Sequence, residues 1–331
     1  MNTHLLCCDW GTSSLRLRLI DQQDGKVLGE HLAGEGIAAV FDAWKNDGNK
    51  ISKEDFFRQY LKKIIEAMSL QTKLDLTDVH LIISGMASSS IGMHQLPYAV
   101  LPFALDGKNA LVKTICADEQ FPYNTTLISG VRNDHNAMRG EETQLIGLAD
   151  LVNIPAAAKE AIFIFPGTHS KHVYLQQGQL VNFETYMTGE LFHLMSTHSI
   201  LKDSIDVSSL DELSTENKEA FELGLTESAD NGIMKSLFTV RTNLLFQRLN
   251  KKQNTHYLSG VLIGAELQPL IEKKDSVLIL CSGSNLYSFY TKAIEAMGLM
   301  GSTIVVPGEV IDKAYVIGQM KIFKHNLSVA N

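Results

Sequence analysis

The stretch Asp9-Trp10-Gly11-Thr12-Ser13-Ser14 sets a carboxylate, a glycine and three hydroxyls at the end of the apolar run 5–8. A glycine lets backbone approach a phosphate closely, and hydroxyls with neighbouring N–H groups can cradle one. A carboxylate placed there can organise a magnesium ion, directly or through water. Residues 15–19 then alternate Leu with Arg, which predicts a second strand and a hairpin. That differs from the P-loop, whose Gly-Lys-Ser/Thr leads into a helix. The plainer alternative is a tight turn in which Thr12 and Ser13 satisfy local backbone.

Two more loops have a similar make-up. Pro166-Gly167-Thr168-His169-Ser170-Lys171 follows the apolar run 162–165 and leads into Val173-Tyr174-Leu175. Cys281-Ser282-Gly283-Ser284-Asn285 follows the run 277–280 and precedes a helical pattern, so a helix N-terminus can approach a nucleotide. Between them in interest is the stretch 131–144, VRNDHNAMRGEETQ. Asp134 sits where a helix is expected to begin. It reads either as an N-cap or as a carboxylate able to take a proton from a substrate hydroxyl. Arg139 reads either as a cation for an anionic substrate or as a solvated helix residue paired with Glu141 or Glu142. Arg16, Lys171 and His169 are other candidate cations. Thr188-Gly189-Glu190 either faces a sugar or forms a glycine turn with Glu190 in a helix's first turn. His135, His169, His172, His193 and His198 are irregularly spaced, with no zincin pattern, so hydrogen bonding is expected of them rather than metal ligation. Trp10 reads as core packing rather than an adenine platform.

These groups need a scaffold. The short runs 5–8, 81–83, 162–165 and 277–280 are rich in Ile, Leu and Val and stop at small or polar residues, as buried strands do. Helical patterns lie between them at 55–69, 136–151, 190–201, 221–231, 236–249 and 286–297. In the first of these Phe56, Tyr60, Ile64 and Met68 share a stripe. Strands alternating with helices predict an α/β fold with largely parallel sheets, whose ligands collect beyond the carboxyl ends of strands. Residues 42–52 and 202–217 read as surface excursions. No solenoid repeat is present, but strand followed by glycine loop recurs.

At 331 residues, two domains are expected. The formal charge of −8 gives no basic field for nucleic acid or an anionic membrane. None of the four cysteines forms a C-x-x-C pair, and no signal peptide or membrane-length apolar run is visible, so a cytoplasmic location is expected. Homo-oligomerisation is left open.

The order of the loops carries a resemblance. Asp9 to Ser14, Asn133-Asp134, Gly167-Thr168, Gly283-Ser284 and the late Ala314-Tyr315-Val316-Ile317-Gly318 are similar to the pieces of the sugar kinase, hexokinase, heat-shock chaperone and actin superfamily. DWGTSSLR, NDHNAMRGEETQLIG, FPGTHSKHV, MTGEL and LSGVLIGAE together resemble the 2-dehydro-3-deoxygalactonokinase family. The resemblance implies a two-domain ribonuclease H-like actin/hexokinase ATPase fold, with the active site in the interdomain cleft. Residues 1–140 and the C-terminal helix 309–331 would form one domain, and 141–308 the other. It implies ATP-dependent phosphorylation of 2-dehydro-3-deoxy-D-galactonate at O6, with Mg²⁺. Asp134 would be the base and Asp9 the magnesium ligand. Gly11, Thr12, Ser13, Gly167 and Thr168 would hold phosphates, and Gly283, Ser284 and Asn285 would lie by the adenosine. Ser89, Arg139, Glu141, Thr188 and Glu190 would meet the sugar acid, and Gly140 and Gly147, in the connecting helix, would permit a close crossing. The family usually has Trp where this chain has Met93, which points to the loop 88–93 for substrate preference. The competing expectations are a kinase for another 2-keto-3-deoxy sugar acid, a nucleotide-switched binding module, and a sugar-sensing regulator.

Overall fold

The computed structural model describes residues 3–210 and 214–330. Residues 211–213, within the predicted excursion 202–217, lie outside the described residues, as do 1, 2 and 331 of the first predicted domain. The chain forms two compact units: Met1–Asn153 with Gly178–Asn182 and Glu309–Asn331, and Ile154–Gln177 with Phe183–Gly308.

In the first unit, β1 (His4–Trp10), β2 (Leu15–Asp21) and β3 (Val27–Ala33) form a meander, followed by α1 (Ile37–Asn46), α2 (Lys53–Thr72) and β4 (His80–Gly85). Short strands follow: β5 (Ala99–Val100), β6 (Phe103–Ala104), β7 (Val112–Ile115), β8 (Thr125–Ile128), β9 (Val131–Arg132) and β10 (Ala137–Met138). Then comes α3 (Glu141–Leu151). The main sheet runs β3-β2-β1-β4-β8-β7, with β1 parallel to β4, β4 parallel to β8 and β2 antiparallel to β1.

The alternation in β2 sorts its two faces. Leu15, Leu17 and Leu19 are buried in one core with Leu6, Trp10 and the α2 residues Phe57, Leu61, Ile65 and Met68. Arg16 and Arg18, at the intervening positions, pair with Glu30 and Asp312. The buried stripe of α2 is therefore shifted from the one expected, with Phe56 and Tyr60 only partly buried at its edge. Trp10 is fully buried against Phe57 and Tyr60. Residues 42–46 belong to α1 and not to a loop. Ile37, Val40, Phe41 and Trp44 carry the helical spacing that marks it.

The second unit holds β11 (Ala161–Phe165), β12 (Ser170–Gln176), α4 (Thr188–Thr197), α5 (Thr215–Asn231), α6 (Ile233–Leu245), α7 (Lys251–Leu267), β14 (Val277–Leu280), α8 (Ser284–Ala296), β15 (Thr303–Val305) and the latter half of β13 (Gln179–Tyr186), whose residues 179–182 count with the first unit. Inward from the short β6, which pairs with the start of β13, the strands run β13-β12-β11-β14-β15, with β11 antiparallel to β12 and parallel to β14. This is the order β3-β2-β1-β4-β8 of the first unit, so the recurring strand-then-glycine loops belong to one arrangement built twice. Helix α9 (Gly308–Ala330) returns the chain to the first unit. The first unit runs through α3 to Asn153 and resumes at Glu309.

Candidate active site

In the first unit, polar groups gather beyond the carboxyl ends of β1 and β4. Asp9 faces Arg16 on β2 and Ser84 on β4 in the sheet register. Burial pushes its carboxyl up to about 6; the Arg16 and Arg18 charges pull it down and Glu141 pushes it further up. The turn after β1 closes with the Gly11 N–H donating to the Ser14 carbonyl at 2.9 Å. It leaves Thr12 and Ser13 exposed. The carbonyls of Gly11 and Thr12 accept from Ile37 and Ala38, so the turn is fastened to the start of α1. After β4 the chain makes a tight turn through Met86–Ser88. Ser89 is buried, and its hydroxyl has no hydrogen-bond partner.

Glu141 opens α3, and its carboxylate accepts from the Arg139 N–H at 3.1 Å. Gly140, at φ 109°, makes the bend into the helix, and a side chain there would press on Gly85 at 3.4 Å. Glu142 is fully buried, accepts from the Gly140 N–H at 2.7 Å, and is pushed up to about 8 by burial and by Glu141. Asp9, Glu141 and Glu142 also act on the half-buried Tyr315 phenol of α9, which lies well above its ordinary range, mainly through desolvation. The Gln319 amide of α9 donates to the Cys8 carbonyl and the Ser84 hydroxyl at 2.7 and 2.8 Å, tying the ends of β1 and β4 together.

Asp134 stands elsewhere. It does not cap a helix: α3 begins at Glu141, and Asp134 lies in the turn between β9 and β10. Asn133 organises that turn by accepting from the His135 and Asn136 N–H groups at 2.9 and 2.6 Å. Asp134 lines a cavity of about 310 Å³ with Arg132, Asn133 and Asn182.

In the second unit, the Gly167–Thr168 loop joins β11 to β12, and Gly283 precedes the first residue of α8, Ser284. A cavity of about 350 Å³ is lined by Gly167, Thr188, Gly189 and Asn285, with apolar walls from Phe192, Leu262, Ile263 and Phe289. An apolar slot with a few polar groups at its edge suits a nucleoside. Thr188 and Glu190 lie in the second unit, and Ser89, Arg139 and Glu141 in the first. Thr188 lines this cavity, and Glu190 contacts the His169 ring. Lys171 is buried and donates to the His169 carbonyl. His172 is fully buried against Glu266. Among the described residues no cluster of three or more metal-ligating side chains is present. Sequence reading missed Gln319, Glu266 and Tyr290, which act through partners far along the chain; Glu142, read only as a partner for Arg139, is held instead by its neighbours Gly140 and Thr143.

Comparison with known proteins places the chain in a family. The family model for 2-keto-3-deoxy-galactonokinase matches residues 9–311. The chain belongs to that family. It is 31% identical to the 2-dehydro-3-deoxygalactonokinase of Escherichia coli (strain K12) over 224 residues, 66% of this chain and 70% of that protein. It is 30% identical over 298 residues to a protein of Rhizobium meliloti (strain 1021) named as a probable 2-dehydro-3-deoxygalactonokinase, 88% of this chain and 89% of the other. The crystal structure of a protein assigned as a 2-dehydro-3-deoxygalactonokinase from Sinorhizobium meliloti superposes with a TM-score of 0.76 at 27% identity, covering 98% and 99% of the two chains. No helix among the described residues is long and apolar enough to cross a membrane.

Met93, and Arg139 packed against the 88–98 region, are already committed to structure. Met93 is buried in the core of the first unit, where it acts through packing. The Arg139 guanidinium donates to the Ser88 hydroxyl at 2.7 Å and the Leu96 carbonyl at 3.0 Å and stacks over the Tyr98 ring at 4.0 Å. It is paired with neither Glu141 nor Glu142. Arg139→Ala is expected to destabilise the chain by about 1–3 kcal/mol, because it leaves those partners unmet. Arg139→Lys should not restore it, since an ammonium cannot reproduce the fork and the stacking. Thermal unfolding of both variants checks this; a lysine variant as stable as the parent would refute it.

Proposed function

We propose that the chain transfers the γ-phosphoryl group of ATP to O6 of 2-dehydro-3-deoxy-D-galactonate. The observation that carries this reading is the family match over residues 9–311, which takes in both groups of residues described above. Phosphoryl transfer asks a protein for positioning and charge stabilisation more than covalent chemistry. In the second unit, Gly167 and Thr168 hold phosphate oxygens, and Gly283, Ser284 and Asn285 border the adenosine. In the first, Gly11, Thr12 and Ser13 present backbone and hydroxyls to phosphate, and Ser89 contributes an unmet buried hydroxyl to the acceptor side.

The residues at the end of β1 fit a magnesium ion. Asp9 is half-buried and raised in part by the Glu141 charge, and a divalent cation would relieve both. Mg²⁺ bound there with the nucleotide would neutralise phosphate charge. We assign the base to Glu141. The argument that favoured Asp134, a carboxylate opening this helix, applies to Glu141 once the helix start is seen, and Glu141 also lies within the field of Asp9. Glu141 takes the proton of the acceptor hydroxyl as the bond to phosphorus forms.

The test is ADP release from Mg·ATP with a panel of 2-keto-3-deoxy sugar acids, including the galactonate and gluconate forms, and neutral hexoses. The galactonate form is expected to give the highest kcat/KM. Preference for another acid would move the substrate assignment within the family, and acceptor-independent ATP hydrolysis alone would count against a sugar-acid kinase.

A further inference from the structure

A buried carboxylate must have its charge met by partners, and the identity of those partners tells what it holds in place. Glu266, near the end of α7, is 2% exposed. One of its oxygens accepts from the Tyr290 hydroxyl of α8 at 2.6 Å and from the Thr188 hydroxyl that opens α4. The other lies 3.2 Å from Nε2 of His172 on β12. Three separate elements thus converge on one charge.

Two of these routes, through Tyr290 and Thr188, run on to the same loop. The Tyr290 hydroxyl is 3.1 Å from the Ser170 hydroxyl, and Ser170 in turn accepts from the Gly167 N–H at 3.3 Å. Thr188 is followed by Gly189, where a side chain would stand 2.6 Å from the Gly167 carbonyl oxygen. The next residue, Glu190, donates its N–H to the Thr168 carbonyl at 3.0 Å. Thr188 and Tyr290 line the apolar cavity of the second unit, while Glu266 stands behind them and does not line it.

We infer that Glu266 is a positioning residue for the nucleotide: its charge fixes Thr188 and Tyr290 and, through them, the Gly167–Thr168 loop. This rests on the kinase reading of that loop. Leucine or methionine at this point would hold α7 to its neighbours about as well, since buried charges seldom add net stability over apolar packing. What apolar contacts cannot do is fix the direction of two hydroxyls, and a phosphate loop depends on direction.

The experiment uses the full chain and ATP itself as the probe. Affinity for ATP without acceptor is measured by calorimetry, KM for ATP and for the sugar acid by ADP release, and folding by thermal unfolding. Glu266→Gln, which keeps the shape and loses the charge, should weaken ATP binding about tenfold, the scale of a lost charge-assisted hydrogen bond, and leave the sugar-acid KM near the parent value. Thr188→Val should weaken ATP in the same direction, and Thr188→Ser, which restores the hydroxyl, should recover it. If Glu266→Gln does not fold, the Thr188 pair decides. Parental ATP affinity in both Glu266→Gln and Thr188→Val overturns the inference, as does a parallel loss of both KM values in step with stability. A parent chain that binds ATP but phosphorylates no sugar acid overturns the kinase reading alone, and one that binds no ATP overturns both.

Discussion

Glu141→Gln should lower kcat by roughly 10²–10⁴-fold, the usual contribution of a general base, with little change in ATP affinity. The substitution keeps the shape of the side chain and the acceptor for the Arg139 N–H, so the entry into α3 survives. It removes the one thing the chemistry needs, an oxygen able to accept a proton. Asp134→Asn is the necessary companion. Asp134 is exposed in a hairpin turn away from the start of α3, so this variant should retain most of the parent's kcat. Steady-state kinetics on the two variants, with calorimetry for ATP, decides between them. Turnover lost in Asp134→Asn and kept in Glu141→Gln would return the base to the cavity shared by Asp134, Arg132 and Asn182. Loss in both would mean that the hairpin and the helix start act on one acceptor.

That contest shows where the sequence is legible and where it is not. Asn and Asp favour helix N-caps and tight turns for the same reason, a short side chain that bonds to nearby backbone. Asn133-Asp134-His135-Asn136 therefore reads equally well as a cap or a hairpin, and only the β9–β10 pairing resolves it. The glycine that does start the helix, Gly140, has a backbone conformation that no spacing rule reveals.

The apolar strands that end at Asp9, Gly85, Pro166 and Cys281 are readable because their pattern is local. The helix that carries Glu266 is not. From Asn254 to Leu267 every residue except Ala265 is buried, so α7 shows no polar face and no amphipathic period. Its sequence stood out only through the family resemblance. The network on Glu266 joins positions 172, 188, 266 and 290, contacts that local pattern cannot predict. The glycine loops were legible as phosphate cradles in kind. Which acids stand beside them was not, because that depends on the crossing of α3 and α9.

That crossing sets the last expectation. A side chain at Gly147 would stand 1.9 Å from the Ala314 carbonyl oxygen, and one at Gly318 would stand 1.9 Å from the Thr143 carbonyl oxygen. The two contacts are reciprocal, one from each helix and each four residues from the other's partner, so the backbones meet with no side chain between them. Gly147→Ala and Gly318→Ala cannot be absorbed by a rotamer change, because the obstacle is backbone. Each should cost about 1–3 kcal/mol or more by overpacking, although alanine is the better helix former. Gly34→Ala, where a side chain meets nothing within 4 Å, is the control and should leave the unfolding midpoint unchanged. The effect should reach the chemistry as well. Helix α3 carries Glu141, and α9 carries Gln319, which ties the ends of β1 and β4 together. Forcing the helices apart moves Glu141 relative to Asp9 while leaving the second unit's cavity untouched. At temperatures where the variants remain folded, kcat should therefore fall while ATP affinity holds. An alanine at either position with the parent's midpoint and kcat would mean that the helices do not cross this closely.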